Sequence, residues 1–175
     1  MLARTENLAV ALVDAVAYST GFALRLALRL HHEADDFDPH QVMMQLRGRP
    51  MGSDEERLRF GIEFADGRKA TNLGPRRRHS DEPPEISLSP HGGGGGGGRS
   101  WQVGYWVFPL PPSGPLVIAI AWPARGIEEG SNTVDAAPII EAAANSIVLW
   151  EDERPIRSGG PAPMTQTGSS QIELP

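Results

Sequence analysis

The side chains best equipped for chemistry fall in a few short stretches, and each can be held against the spacing its chemistry requires. The densest is His31-His32-Glu33-Ala34-Asp35-Asp36-Phe37-Asp38-Pro39-His40, with three histidines and four carboxylates in ten residues. Zinc takes ligands one helical turn apart or on adjacent strands, and a calcium loop takes carboxylates at alternate positions around a central glycine. Neither spacing is present, so the stretch reads as a solvated acidic loop and no metal ligand is assigned. The run Gly92–Gly98, followed by Arg99-Ser100, has the glycine content of a phosphate loop. Such a loop needs a lysine on the phosphates and a helix behind it. Arginine stands in the lysine's place and a strand pattern comes next, so no nucleotide or other cofactor is expected.

His40, His79 and His91 could each act as a general base beside a carboxylate. No serine sits in a Gly-x-Ser-x-Gly elbow, and cysteine is absent as a nucleophile. Asp66 and Asp135 are better explained as turn and helix-cap residues. No catalytic residue is assigned, and the sequence leans away from an enzyme. The basic cluster Arg76-Arg77-Arg78-His79 is partly neutralised by Asp81 and Glu82 and has no interleaved aromatics, so it reads as a solvated loop. Pro109, Pro112 and Pro115 fit a minimal polyproline pattern, but the strands on either side make a structural turn the better account.

Aromatic residues carry more promise. Trp101, Tyr105, Trp106, Phe108 and Trp122 are close together in the chain. Trp101, Val103, Tyr105 and Val107 share one face of a strand, which leaves Trp106 and Phe108 on the other. These two either pack under a helix, the favoured account, or stand exposed as an apolar patch suited to a protein partner. They are the candidate partner-binding residues.

The elements that must position these groups can be read from periodicity. Phe22, Leu24, Leu26, Leu28 and Leu30 alternate strictly with Ala23, Arg25, Ala27 and Arg29, which specifies a strand with one face on a core. Leu8–Tyr18 precedes it across Ser19-Thr20-Gly21; a hairpin is preferred and a short Ala-rich helix is the alternative. Asp38-Pro39-His40-Gln41 has a helix-start pattern for about two turns ending by Gly48. Leu58, Phe60, Ile62 and Phe64 form a second alternating strand, and Asp66-Gly67 turns the chain back along Arg68–Leu73. Glu85–Ser89 fits a short edge strand. Trp101–Leu110 and Leu116–Trp122 are two further strands, the second apolar on both faces as in a fully buried central strand.

A helix is expected over Thr133–Trp150, capped by Asp135 or Thr133, with Ile139, Ile140, Ala143, Ala144, Ile147, Val148 and Trp150 as its apolar stripe. Trp150 would anchor its last turn. Together these elements predict a mainly β (α+β) fold: an antiparallel β-sandwich or partly open barrel of six to eight strands with one packed C-terminal helix. Residues 1–152 would form a single β-rich domain with a mobile glycine loop at 91–99, and residues 153–175 a disordered tail.

Composition bounds the setting. The chain has 175 residues and a net charge of −6, which disfavours nonspecific binding to nucleic acid or an anionic membrane. Fifteen arginines against a single lysine, Lys69, fit a GC-rich bacterial genome. Leu8–Tyr18 is too short to span a bilayer and carries Asp14, and the N-terminus lacks a signal-peptide pattern, so a cytoplasmic location is expected. The stretch from Trp106 to Glu128, through Phe108-Pro109-Leu110-Pro111-Pro112-Ser113-Gly114-Pro115 and Ala121-Trp122-Pro123, resembles a pattern in an uncharacterised family of actinobacterial proteins. That resemblance covers the C-terminal half and brings no activity or functional residue. The expected function is a non-catalytic protein-interaction or accessory module with a protein partner, no nucleic acid, no membrane and no assigned oligomeric state. The alternative is a small-molecule-binding protein or hydrolase with a pocket between sheet and helix.

Overall fold

The nine-residue alternation at Phe22–Leu30 is a strand at the centre of the larger of two sheets. The computed structural model describes residues 1–32, 38, 42, 44, 53, 56–73, 85–92 and 95–147. We number the strands β1 (Ala3–Arg4), β2 (Leu8–Ala17), β3 (Phe22–Leu30), β4 (Arg59–Glu63) and β5 (Lys69–Thr71). They continue as β6 (Ser87–Pro90), β7 (Gly95–Gly97), β8 (Ser100–Phe108), β9 (Pro115–Trp122) and β10 (Ile127–Asp135), followed by helix α1 (Ala137–Ala144). Sheet A has the order β1-β2-β3-β8-β6, with β7 also paired to β8, and sheet B the order β10-β9-β4-β5. Every pairing is antiparallel. The described residues are mainly β, two antiparallel sheets with helix α1, and sheet A curls into a half-barrel.

Alternation in the sequence becomes alternation in burial. Phe22, Leu24, Leu26 and Leu28 are buried and Arg25 and Arg29 are exposed on the opposite face of β3. Trp101, Val103, Tyr105 and Val107 of β8 complete the inner face of sheet A, against Phe60, Ile62, Leu116, Ile118 and Ile120 of sheet B. Each such side chain contributes about 1.5–3 kcal/mol when removed from water. The sheets also meet at their edges, β1 lying against β10 and β5 against β6. Asn132 Nδ2 donates to the Leu2 carbonyl at 3.2 Å, and Arg68 Nη1 donates to the Glu85 carbonyl at 2.9 Å. The result is a sandwich drawn together along both sides.

Leu8–Tyr18 takes the strand alternative: β2 pairs with β3 and Tyr18 N–H closes the turn onto the Gly21 carbonyl at 2.8 Å. The Asp66-Gly67 hairpin forms between β4 and β5, with Gly67 at φ 85° and the Asp66 carboxylate accepting from Arg68 N–H at 3.1 Å. Glu85–Ser89 becomes β6, shifted to Ser87–Pro90, on the edge of sheet A.

Three expectations are corrected. Thr133–Asp135 belong to β10, and the helix spans Ala137–Ala144 rather than Thr133–Trp150. Residues Gly130–Asp135 satisfy their backbone by pairing with Pro115–Ile120, and Asp135 Oδ1 then accepts from Ala137 N–H at 3.0 Å to start the helix. Asn145 Nδ2 and Ser146 Oγ take the Glu141 and Ala143 carbonyls and end it, leaving Ile147 84% exposed. Ile139 and Ala143 are the buried helical residues, and α1 packs against β2.

The second correction concerns the glycine run. Within 91–99, His91 N–H donates to the Gly104 carbonyl at 2.9 Å, and Gly95–Gly97 pair with Ser100–Gln102 as an edge strand rather than a loop. The third concerns Leu116–Trp122, which is central in sheet B but not apolar-covered on both faces, since Val117 and Ala119 are half-buried. Trp150, the helix-start pattern at Pro39–Gln41 and residues 151–175 lie outside the described residues.

Candidate functional site

A single extra residue in β2 decides what stands on the outer face of sheet A. Leu8, Val10 and Leu12 share an inward phase, and Asp14 and Val16 would join them in the core by simple alternation. An unpaired carboxylate there would be costly. Between Leu12↔Leu26 and Asp14↔Arg25 the register shifts, so Val13 is the bulged residue, 51% exposed. The bulge inverts the phase of the strand beyond it. Asp14 thereby faces outward beside Arg25, with Oδ2 3.4 Å from Arg25 Nε, and Val16 and Tyr18 stand exposed on the same side.

Register then aligns the outer face in rows across the strands. One row runs Val16, Ala23, Trp106 and Ser89; the next runs Asp14, Arg25, Gly104 and His91. A depression of about 390 Å3 opens over these rows. Its floor is Ala23 and Gly104; one rim is Asp14, Val16 and Tyr18, and the other is His91, Gly92 and Gly95. A Cβ at Gly104 would run into the His91 carbonyl, so the absence of a side chain lets that rim approach the sheet.

Trp106 is half-buried on this outer face. Tyr18 meets it edge-on at 5.4 Å between ring centroids, His91 lies at 5.5 Å, and its ring passes close over Gly21. It therefore packs on the β2–β3 turn. Phe108 is half-buried one row further along, opposite Ser87. Trp106 thus lies on the β2–β3 turn rather than beneath the helix, while α1 packs against β2 and joins the core through Ile139.

Polar groups in the depression are mixed in sign. Arg25 and Asp14 are about half exposed, a surface pair worth at most about 1 kcal/mol. Among the described residues, Asp14 is the partner of the Arg25 guanidinium. The one strongly displaced ionisation among the described groups lies elsewhere: burial pushes the Tyr105 phenol well above its ordinary value, opposed by a hydrogen bond with Asn72. Tyr105 is fully buried, so it is part of the core rather than a site.

Two other described histidines, His31 and His32, lie apart from this depression. His31 and His32 stack at 3.9 Å beside a second depression of about 190 Å3 that Arg4–Ala9, Arg29 and His31 line. No three metal-capable side chains are grouped among the described residues. His40, His79 and the Arg76–Arg78 cluster lie outside them. Sequence reasoning missed Asp14, Tyr18, Arg25 and Gly104 as one group. A signal existed: a carboxylate in the inward phase of an otherwise apolar strand.

No protein-family model, curated protein or solved structure matches the chain. What the fold and the site define is a class: a two-sheet, mainly β domain with an open groove of mixed polar and aromatic lining on the outer side of its larger sheet. Among the described residues no helix is long and apolar enough to cross a membrane.

Proposed function

We propose that the protein is a non-catalytic binding module that meets a protein partner through the outer face of sheet A. The observation that carries this reading is the groove itself, an open depression with two exposed apolar side chains, Val16 and Tyr18, on a rim braced by Trp106. Trp106 and Phe108 enter as the half-buried aromatic base of that surface. Exposed apolar groups ringed by polar ones are what interaction surfaces present.

The composition of the groove favours binding over hydrolysis. His91 is separated from Asp14 by Arg25 and Gly104 in its row, so imidazole and carboxylate are not neighbours, and Asp14 already pairs with Arg25. Among the described residues no serine or threonine lines the depression. A small-molecule ligand is the second reading, because the volume falls in the range of about 300–1,000 Å3 typical of ligand sites. The groove would then lie on the sheet face rather than between sheet and helix. A bacterial, cytoplasmic setting accompanies the reading; the arginine bias supports the bacterial source, and cell fractionation checks the location.

Site-specific photocrosslinking tests the proposal. A photoreactive residue at Val16 should give discrete adducts in the source cells that Trp106→Ala abolishes. The same residue at Glu141, exposed on α1, should give none of them. Equal adducts from both positions, or none from Val16, would sink the reading.

A further inference from the structure

We infer that Asp66-Gly67 is a site of spontaneous backbone isomerisation, held back in the folded protein by Arg68 and independent of the groove on sheet A. In an aspartate–glycine pair the next backbone nitrogen reaches the side-chain carboxyl with no Cβ in its way. The chain holds one such pair and no Asn-Gly. Both residues are exposed at the β4–β5 turn, and open space surrounds the position a Cβ would take on Gly67. A five-membered ring has room to form there, and water can reach it. The reaction needs a neutral carboxyl. Gly67 N attacks Asp66 Cγ, a C–N bond forms, and the carboxyl hydroxyl leaves as water with the amide proton. Water then opens the imide at the main-chain carbonyl of Asp66. The chain now runs through Cγ, with one extra methylene and no change in mass. An ionised carboxylate has no hydroxyl to lose.

The turn withholds both reactants. Asp66 Oδ1 accepts from Arg68 N–H at 3.1 Å, and Oδ2 accepts from Nε at 2.8 Å and lies 2.7 Å from Nη2. The guanidinium so bonded holds the carboxyl below its ordinary range, which keeps it ionised. Gly67 N–H is engaged as well, donating to the Phe64 carbonyl at 2.9 Å. Arg68 is itself fixed: Nη1 donates to the Glu85 carbonyl at 2.9 Å, and the guanidinium lies 5.3 Å from the centre of the Phe64 ring. Of the other charges near the turn, Lys69 and Glu63 pair with each other at 2.9 Å, and Glu85 acts on Arg68. Isomerisation would displace the carboxylate from the residue that ties the β5 edge to the chain entering β6.

The test ages full-length protein for weeks near neutral pH, folded and in urea. An endoproteinase that cuts before aspartate and not before isoaspartate then reads position 66, with mass spectrometry of the fragments. The folded parent should gain isoaspartate there at least fivefold more slowly than the unfolded chain. Arg68→Gln should speed the folded protein at least threefold. Exchange of the Gly67 amide, which reports whether the turn stays closed, should change by less than that factor. Arg68→Lys keeps a cation without the paired donors and should fall between parent and Arg68→Gln. Equal rates for the folded and unfolded parent overturn the protection, and no isoaspartate at residue 66 in either overturns the site. An Arg68→Gln variant as slow as the parent overturns the role of Arg68. So does one in which isomerisation and Gly67 exchange rise by the same factor, since the closed turn alone would then account for the protection.

Discussion

Gly21 and Trp106 act as one structural unit. A Cβ at Gly21 would run into the Val107 carbonyl and would lie 2.7 Å from Cζ2 of Trp106, so the tryptophan can cover the β2–β3 turn only because residue 21 has no side chain. Tyr18 reaches the groove from that same turn. Overpacking of this kind costs about 1–3 kcal/mol, so Gly21→Ala should lower stability measurably in urea denaturation. Removing the ring relieves only part of the clash. In a Trp106→Ala background the cost of Gly21→Ala should shrink by at least about 0.5 kcal/mol and stay above zero, since the Val107 carbonyl remains. Full additivity would mean that the ring does not rest on the turn.

At the scale of elements, the glycine edge strand gives the sharpest test. β7 contributes no side chain, and its three residues differ in their surroundings. A Cβ at Gly96 would collide with the Ser100 carbonyl and the Trp101 ring, whereas Gly97 has open space around it. Gly97→Ala should be neutral or stabilise by about 0.4–1 kcal/mol through the unfolded chain, while Gly96→Ala should destabilise. Comparable thermal shifts for the two would show that the strand does not pair as described. The same element shows where sequence reading stops. A run of seven glycines has no periodicity to read, so only the partner strand determines its state. β3 and the β4–β5 hairpin were legible because leucine alternation and Asp66-Gly67 are local signals. β10 was not: Glu128, Glu129, Gly130, Ser131 and Asn132 lie on an edge strand facing largely outward, where burial imposes no apolar pattern. The candidate site was least legible of all, because it needs the bulge at Val13 and the β3–β8 register together.

Across the whole molecule, Tyr105 is a buried polar link between the two sheets, beside the two at their edges. It projects inward from β8, its ring stacks on Phe60 of β4 at 5.1 Å, and its hydroxyl hydrogen-bonds Asn72 just beyond β5. Asn72 in turn accepts from Phe60 N–H at 2.9 Å and donates to the Leu58 carbonyl at 2.9 Å. One buried side-chain pair therefore ties sheet A to the start of β4 and to the strand beside it. Burial favours the neutral phenol, so its folded pKa lies above the ordinary 10.0. A group whose folded pKa is raised stabilises fully below its unfolded value and loses that contribution as pH rises beyond it. Tyr105 should accordingly favour folding up to about pH 10 and draw the protein toward unfolding above it, where the unfolded chain can release the proton. In a spectrophotometric titration, one of the two tyrosines should resist ionisation until the sheets come apart. Tyr105→Phe should cost about 1–2 kcal/mol at neutral pH, the loss of one buried hydrogen bond that leaves Asn72 short of a partner. The same variant should flatten the stability curve above pH 10 relative to the parent, because the group that discriminates between folded and unfolded chains there is gone. A parent and variant with parallel alkaline limbs would show that Tyr105 ionises within the folded protein, and that its hydroxyl is not sealed between the sheets.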